Sequence, residues 1–200
     1  MSDEKNTKIV NFIFEAGTMR KLARIHRQTL LTDDMSDNIA SHSYRVALIA
    51  WILAQEEGVD PYKTVMMALF HDLGETRSND HNWIHKRYVT VHTQEISKDQ
   101  LGAMPYPLMK SLQEEYEKRE SKEAKITKDA DLLEQAFLLR EYEWQGNKEA
   151  SIWLRGKDGK GNAQINLLQF ESSKKISKAL YSQSPSDWWN GLWTSFNREG

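Results

Sequence analysis

The chain has 200 residues, with 27 lysines and arginines, 29 aspartates and glutamates, and no cysteine. The net charge of −2 disfavours binding to polymeric nucleic acid, which usually requires a basic face. Disulfides and thiolate metal sites are excluded. The charged N-terminus lacks the apolar region of a signal peptide, and no apolar run is long enough to span a membrane. We therefore expect a soluble cytoplasmic protein.

Helical periodicity dominates the sequence, and no stretch alternates with period two over enough strands for a sheet. Residues 73–90 look irregular, and Pro105 and Pro107 are placed to end one helix and begin another. No repeat or linker divides the chain. We therefore predict an all-α fold, a compact helical bundle in a single domain over 1–200. The predicted helices cover residues 6–31, 38–57, 61–71, 125–145 and 163–182.

Two helix ends are marked by local residue choice. Gly58 follows the second predicted helix at a position typical of a left-handed C-terminal cap. Asp60-Pro61 then reads as an N-cap followed by proline at the first helical position. The third helix is therefore expected to begin at Pro61 and to end close to His71.

Histidine and aspartate appear at two places where apolar patterns predict burial. His42 extends the apolar stripe of the second helix toward its N-terminus, and His71-Asp72 follows the run Val65–Phe70. A lone buried histidine is more often a core residue bonded to a carbonyl than a metal ligand. Adjacent helical residues point about 100° apart, so His71 and Asp72 reach one ion only where the helix ends. Gly74 is placed to allow such a bend.

A further carboxylate is expected near the start of a strongly apolar helix. The segment "ITKDADLLEQAFLL" offers Asp129 and Asp131, and a buried carboxylate requires a cation or hydrogen-bond donors. The helix N-terminus itself is an alternative partner, and for Asp129 alone it is the better one. Two imidazoles and two carboxylates suit a borderline divalent metal ion.

Three segments together resemble the HD-domain metallohydrolase superfamily, and in particular the branch similar to 5′-deoxynucleotidases. They are "IASHSYRVALIAWILA", which contains His42, "MMALFHDLGETRSND", which contains His71-Asp72, and "ITKDADLLEQA". The resemblance covers residues 15–145, and it matches Asp131, not Asp129, to the last metal ligand. Residues 146–200 have no usable match, and we expect them to form a C-terminal helical extension packed on the domain.

The resemblance implies one divalent metal ion, with Mn, Co, Fe, Ni and Zn all compatible with these ligand types. It also implies a homodimer. Glu75 would face the metal-bound water and move a proton, Asp72 would also be catalytic, and Asp80 would contact the sugar. Arg27 occupies the position of a phosphate-binding arginine. The implied metal ligands are His42, His71, Asp72 and Asp131.

The implied activity is removal of the 5′-phosphate from ribonucleoside or deoxyribonucleoside 5′-monophosphates by attack of the metal-bound water. Gln28 stands where some enzymes of the branch have a tryptophan that bears on sugar selection, so strict deoxyribose selectivity is not expected. Alternatives are hydrolysis of a dNTP, guanosine tetraphosphate or a phosphodiester, or a nucleotide sensor without turnover. Thr76 argues against guanosine tetraphosphate, because such hydrolases of the superfamily have a second acidic residue there.

The polar segment "DHNWIHKRYVTVH" follows the predicted site and offers further substrate contacts. Lys86 and Arg87 are the preferred candidates, and a solvated, mobile loop is the equal alternative. Trp83 is placed to stack on a base or to pack against the domain.

Two other features are assigned structural roles. The "GKDGKG" stretch at 156–161 lacks the ending of a phosphate loop and has no preceding strand, which predicts a surface turn. Five tryptophans of the second half are expected in the core or in subunit contacts, namely Trp144, Trp153, Trp188, Trp189 and Trp193.

Overall fold

The computed structural model describes residues 2–102, 104–156, 159 and 161–192. These residues form helices and loops without a sheet, so the predicted all-α class is confirmed. No helix in these ranges combines the length and the hydropathy needed to cross a bilayer. The α-helices are α1 (Ser2–Ala16), α2 (Arg27–Leu30), α3 (Ile39–Glu57), α4 (Pro61–Phe70), α5 (Glu75–Ser78), α6 (Thr93–Leu101), α7 (Pro107–Lys118), α8 (Lys122–Trp144), α9 (Lys148–Arg155) and α10 (Glu171–Ser182).

The centre of the fold is formed by α3, α4 and α8, with α3 packed against both of the others. Leu53, Ala68 and Leu133 are among the fully buried residues of this core. Burying a leucine side chain contributes about 1.5–3 kcal/mol, so the three helices are held in fixed positions. His42 lies at the N-terminal end of α3 and is itself buried. The core therefore fixes the place of the first predicted metal ligand.

The ends of α3 confirm the sequence reading. The Asn38 side chain accepts a hydrogen bond from Ser41 N at 3.0 Å, and Ser41 Oγ accepts one from Asn38 N at 3.1 Å. This reciprocal pair is a capping box. At the other end Gly58 is left-handed, with φ +64°. Asp60 caps α4, which begins with Pro61 as predicted.

The prediction of one helix over 6–31 is wrong. The α-helix ends at Ala16, a 3-10 turn begins at Gly17, and the backbone then becomes extended. Arg24 N donates to Asp37 O at 3.0 Å, and the neighbouring residues form an isolated antiparallel bridge. Glycine lowers helix stability locally, and tertiary pairing of the extended segment replaces the helix. The segment around Arg24 consequently lies beside the start of α3.

The helix predicted over 125–145 begins earlier than expected. Ser121 Oγ accepts a hydrogen bond from Ala124 N at 3.2 Å and caps α8. Asp129 and Asp131 therefore lie about two turns inside the helix. The interpretation that they open it, with Asp129 stabilised by the helix N-terminus, is wrong.

The C-terminal helices α9 and α10 pack against α8. Leu139, Leu154 and Leu180 are buried between them, and α10 starts later than the predicted 163–182 because a 3-10 turn precedes it. Trp153 packs on this cluster. Trp144, Trp188 and Trp189 are exposed, which leaves subunit contacts as the prediction for them in place of the core. Trp193 and three residues of the predicted surface turn, Lys157, Asp158 and Lys160, lie outside the described residues.

Candidate functional site

Two histidine side chains from different helices meet in the interior. His42 is in the first turn of α3, and His71 follows the last residue of α4. Their Nε2 atoms lie 3.2 Å apart, and both residues are buried. The end of α4 thus brings the imidazole of His71 to the imidazole of His42.

The other nitrogen of each ring has a partner that can only accept. His71 Nδ1 lies 2.6 Å from the carbonyl oxygen of Ala68, and His42 Nδ1 lies 2.5 Å from Glu134 Oε2. Both Nδ1 atoms therefore carry a hydrogen, which leaves the two Nε2 atoms to share a proton or a metal ion. Burial and Arg24 lower the pKa of His42, but Glu134, Asp131 and Asp72 outweigh them and raise it well above its ordinary value, so without a metal ion His42 also holds a proton on Nε2.

Two carboxylates complete the cluster. Asp72 Oδ2 lies 3.3 Å from His42 Nε2 and 3.1 Å from His71 Nε2. Asp131 Oδ1 lies 3.4 Å from His42 Nε2 and 4.0 Å from His71 Nε2. These four predicted ligands are thus brought to one point from three parts of the chain.

The charges in this cluster shift one another strongly. Burial raises the pKa of the Asp72 carboxyl, but the two imidazoles outweigh it and hold the pKa well below the ordinary range. Burial likewise opposes ionisation of Asp131, whose pKa is lowered by Lys128 and the imidazoles. Lys128 Nζ donates to Asp131 Oδ2 at 2.6 Å. Both carboxylates are therefore anionic at neutral pH.

The donor set fits a divalent metal ion. The ligand atoms of His42, His71 and Asp72 all lie within 4.8 Å of one another, and Asp131 Oδ1 approaches the same imidazoles. Two imidazole nitrogens and two carboxylate oxygens suit Mn, Fe, Co, Ni and Zn. The two Nε2 atoms, held 3.2 Å apart, and the two anionic carboxylates together favour binding of such an ion.

Glu134 contacts the His42 ring, and the sequence reading did not single it out. It is buried on α8, and its Oε1 accepts hydrogen bonds from Arg45 Nε at 3.1 Å and Nη2 at 2.8 Å, while Oε2 accepts from His42 Nδ1. Burial raises the pKa of Glu134, but the His42 ring and the Arg45 guanidinium lower it to about 2. A carboxylate behind a metal-ligating histidine fixes the ring orientation and tautomer. The available signal was an acidic residue three positions after Asp131, in an apolar run.

Glu75 is the first residue of α5 and lies next to the cluster. Its Oε2 is buried and has no hydrogen-bond partner among the described residues. Burial, together with the charges of Asp72 and Asp80, raises the pKa of Glu75 to about 9. Without a bound metal ion, this carboxyl group is therefore protonated at neutral pH, which is the state that a proton donor requires.

A cleft of about 1230 Å³ opens beside the cluster. His71, Asp72 and Glu75 lie on its wall. The predicted substrate contact Lys86 also lines it, together with Lys98, Lys110 and Lys118 on the surrounding segments. Glu114 and Glu117 lie on the same wall, and Lys110 Nζ lies 3.3 Å from Glu114 Oε1, so the lining carries charges of both signs.

Arg87 is placed differently from Lys86. Its guanidinium carbon lies 5.8 Å from the centre of the Tyr88 ring, and it is not among the cleft-lining residues of the described chain. Trp83, the predicted base-stacking or packing residue, is exposed. The structure therefore brings Lys86 to the cleft wall but not Arg87.

The predicted sugar and phosphate contacts lie near the extended segment before α3. Asp80 Oδ2 accepts a hydrogen bond from Ile25 N at 2.8 Å and lies 3.4 Å from Arg24 Nε. The guanidinium of Arg27 contacts the sulfur of Met35. Arg24, which the sequence reading did not single out, is thus beside Asp80, and its signal was a charged residue in the stretch "KLARI".

Asp129 has a structural environment separate from the cluster. It is completely buried, and its Oδ2 accepts hydrogen bonds from Gln169 N and Phe170 N, both at 3.0 Å. This carboxylate holds the segment before α10 against α8. Of the two aspartates in the motif, Asp131 is the one that faces the histidines.

Comparison with known proteins identifies the family to which this chain is similar. The family model described as "HD domain" matches residues 19–170, which confirms the predicted resemblance and carries it beyond residue 145. The 5′-deoxynucleotidase HDDC2 of Mus musculus is 28% identical over 191 residues, which are 88% of this chain and 94% of that protein.

Two solved structures have a similar fold. A conserved hypothetical protein from Pyrococcus furiosus is similar with a TM-score of 0.70 and 26% identity, covering 87% of this chain and 99% of that one. A protein from Magnetospirillum magnetotacticum, described as a predicted metal-dependent phosphohydrolase, shares the fold with a TM-score of 0.64 and 21% identity, covering 91% and 93%.

Proposed function

The chain belongs to the HD domain family, and from this premise we propose that it is a metal-dependent phosphohydrolase that removes the 5′-phosphate from nucleoside 5′-monophosphates. One observation carries the proposal: His42, His71, Asp72 and Asp131 converge beside a cleft whose wall includes Glu75. The relatives named 5′-deoxynucleotidase support the choice of substrate.

In this proposal the four converging side chains hold one divalent ion. When bound, the ion supplies Lewis acidity that activates water and offsets phosphoryl charge. Glu134 keeps the His42 ring oriented because it accepts the Nδ1 hydrogen, and Arg45 holds the Glu134 carboxylate in place. The ligands impose no unique metal, and Mn, Co, Fe, Ni and Zn are all compatible.

Glu75 is proposed to handle the proton. Hydrolysis adds water to phosphorus, breaks the bond from phosphorus to the 5′ oxygen, and leaves that oxygen in need of a proton. The carboxyl group of Glu75 has a raised pKa and lies on the cleft wall, so it is suited to donate that proton. The water that attacks supplies a proton in return, and the carboxyl group is restored.

The substrate contacts are proposed from the sequence and from position. Lys86 lies on the cleft wall, where its charge favours a phosphorylated ligand. Asp80 lies five residues after Glu75 and is proposed to contact the sugar. Arg27 is proposed for the phosphate, and Arg87 stays a predicted substrate contact, although it does not line the cleft. Hydrolases of guanosine tetraphosphate in this superfamily have a second acidic residue directly after the glutamate. This chain has Thr76 there, and its hydroxyl donates to Leu73 O at 2.9 Å.

A nucleotide panel tests this function. The purified chain is stripped of metal and supplied separately with Mn²⁺, Co²⁺ and Zn²⁺, and phosphate release is measured from dNMPs, NMPs, a dNTP, guanosine tetraphosphate and a phosphodiester. We expect release from monophosphates. Hydrolysis of only another compound would support the alternative phosphohydrolase, and nucleotide binding without any release would support a sensor.

Assembly and location remain predictions. The resemblance implies a homodimer, and the side chains of Tyr44, Leu48, Trp51 and Ile52 give the outer face of α3 an exposed apolar character that is compatible with one. Sedimentation of the purified chain measures its mass directly. The expected cytoplasmic location is tested by fractionation of cells that produce the protein.

A further inference from the structure

The helix that carries Glu75 is too short to be stable by itself. α5 comprises four residues, Glu75–Ser78, and helices shorter than about 12 residues are marginal in water without tertiary contacts. Its N-cap residue is Gly74, which has no side chain to cap the helix. The position of the Glu75 carboxyl group therefore depends on the contacts that hold α5 from outside.

A carboxylate of the N-terminal helix binds α5 directly. Glu15, in the last turn of α1, accepts two hydrogen bonds from the Arg77 guanidinium, from Nε at 2.5 Å and from Nη2 at 3.0 Å. The contact with Arg77 lowers the pKa of Glu15 against the opposing effect of burial, so the pair is ionic at neutral pH. A two-point contact with a guanidinium group restricts direction as well as distance, and it therefore fixes α5 relative to α1.

The same carboxylate reaches the turn before Glu75 through a buried amide. Gln100, on α6, is 4% exposed, and its Nε2 donates to Glu15 Oε1 and to Thr76 Oγ1, both at 2.9 Å. The Thr76 hydroxyl in turn donates to Leu73 O. Glu75 thus lies in the sequence between Leu73 and Thr76, two members of one hydrogen-bonded chain that ends at Glu15.

This contact begins outside the part of the chain that the HD-domain model covers. That model matches residues 19–170, and Glu15 precedes this range. Glu15, Arg77 and Gln100 are not among the cleft-lining residues of the described chain, whereas Glu75 and Ser78 of α5 are. The three residues can therefore affect a reaction in the cleft only through the position of α5.

We propose that Glu15 is a positioning residue that holds α5, and with it the carboxyl group of Glu75, at the cleft wall. The inference rests on the proposed function, in which Glu75 gives a proton to the leaving oxygen, and adds the requirement that α1 is in place. Misplacing a reacting group by about 1 Å can cost about 100-fold in rate. The ion pair should therefore affect turnover although neither of its members touches the substrate.

Kinetics on the best nucleotide test the inference in the Mn²⁺-loaded full chain. Glu15→Gln and Arg77→Met each break the ion pair. Glu115→Gln is the matched control, because Glu115 forms an ion pair of similar exposure between two other helices, with Lys63 at 2.6 Å. We expect kcat to fall about 5- to 100-fold in the first two variants, with KM and manganese content changed little. The control should behave as the wild type.

A double variant separates positioning from a general structural defect. If Glu15 acts through Glu75, Glu15→Gln lowers kcat in the wild type but has no further effect in Glu75→Gln, where the proton donor is already lost. An equal loss in both backgrounds indicates a structural defect and overturns the inference, as does wild-type kcat in Glu15→Gln and Arg77→Met. If Glu15→Gln does not fold or does not hold Mn²⁺, Arg77→Met decides in the same two backgrounds, because Arg77 is the exposed partner.

Hydrogen exchange measures the contact without a nucleotide, so the two proposals fail separately. The amides of Thr76, Arg77 and Asn79 donate within the segment 73–79, and they should exchange faster in Glu15→Gln but not in Glu115→Gln. Unchanged exchange in Glu15→Gln overturns the inference. If exchange is faster but the wild type hydrolyses no nucleotide, the hold on α5 stands and the proposed function is wrong. If nucleotides are hydrolysed and the double variant indicates a structural defect, the proposed function stands and the inference is wrong.

Discussion

His42 and His71 point their Nε2 atoms at each other across 3.2 Å, while their Nδ1 atoms are held by Glu134 and by the carbonyl of Ala68. Neither ring can turn away without losing a buried hydrogen bond, and an unpaired buried donor costs about 1–3 kcal/mol. The two Nε2 atoms are therefore kept in position to share a metal ion, which would replace the proton that His42 holds in its absence.

Metal binding should stabilise the fold. Mn²⁺ or Co²⁺ added to the metal-free chain should raise the melting temperature, and at one hundred times the Kd the gain is about 2.7 kcal/mol. Mg²⁺ should give a smaller shift, because imidazole nitrogen suits the transition metals better. Thermal unfolding at increasing metal concentration measures the effect. Asp72→Ala should abolish both the shift and the activity, and a full shift in that variant would exclude Asp72 as a ligand.

The two aspartates of the α8 motif should have opposite phenotypes. Asp131→Asn should lose metal affinity while it remains folded, because this side chain faces the histidines. Asp129→Asn should keep the metal but lower the free energy of unfolding by about 1–3 kcal/mol, since a buried acceptor of two backbone N–H groups is altered. Metal analysis and denaturant unfolding of both variants compare them directly. The reverse pattern would mean that Asp129 is the ligand.

Glu134→Gln should weaken the metal site without unfolding the chain. Loss of the charge behind the His42 ring is expected to lower metal affinity about 10- to 100-fold. Competition with a chelator measures this affinity independently of turnover. Glu141→Gln is the control, because Glu141 binds the same arginine, Arg45, from a more exposed position. Equal effects of the two variants would show that the arginine network, and not the contact with His42, is responsible.

Glu75→Gln should remove proton transfer but not the metal. We expect kcat to fall about 10²- to 10⁴-fold, the range that general acid–base groups contribute, with metal content unchanged. Steady-state kinetics on the best nucleotide, with metal analysis of the same sample, measures both. Wild-type kcat in the variant would remove Glu75 from the mechanism.

The same residue predicts a pH dependence in the metal-free protein. The pKa of Glu75 is raised from 4.5 to about 9, so the folded state holds a proton that the unfolded state has released. Its contribution to stability is fully present below pH 4.5 and is lost as the pH rises toward 9. The stability difference between wild type and Glu75→Gln should therefore shift against the wild type over this interval. Urea unfolding at several pH values measures it, and a constant difference would contradict the burial of this carboxyl group.

Local signals were sufficient where a structural feature depends on neighbouring residues. The caps at Gly58 and Asp60 are local, and α3 ends and α4 begins there as expected. The segment after Ala16 is different, because its extended backbone is stabilised by pairing with residues before α3. Helical periodicity in that segment could not reveal a partner so far along the chain.

The candidate site also combines residues that a sequence motif predicts with residues that only the tertiary structure identifies. His42, His71, Asp72 and Asp131 follow a motif in the sequence and come together as expected. Glu134 and Arg24 do not belong to that motif, and their importance depends on which group each of them faces. Only the packing of α8 on α3, and of the extended segment beside α3, brings these charges to the site.

The bond from Asp129 to Gln169 and Phe170 makes one turn of α8 serve two purposes. On one side this turn holds the chain that leads into α10, and on the other side it presents Asp131 to His42. A chain shortened before Gln169 would leave a charged group in the interior without donors and would loosen the turn that carries Asp131. The C-terminal segment thus supports the site from behind, and we expect that shortening it would first lower the affinity for the metal ion.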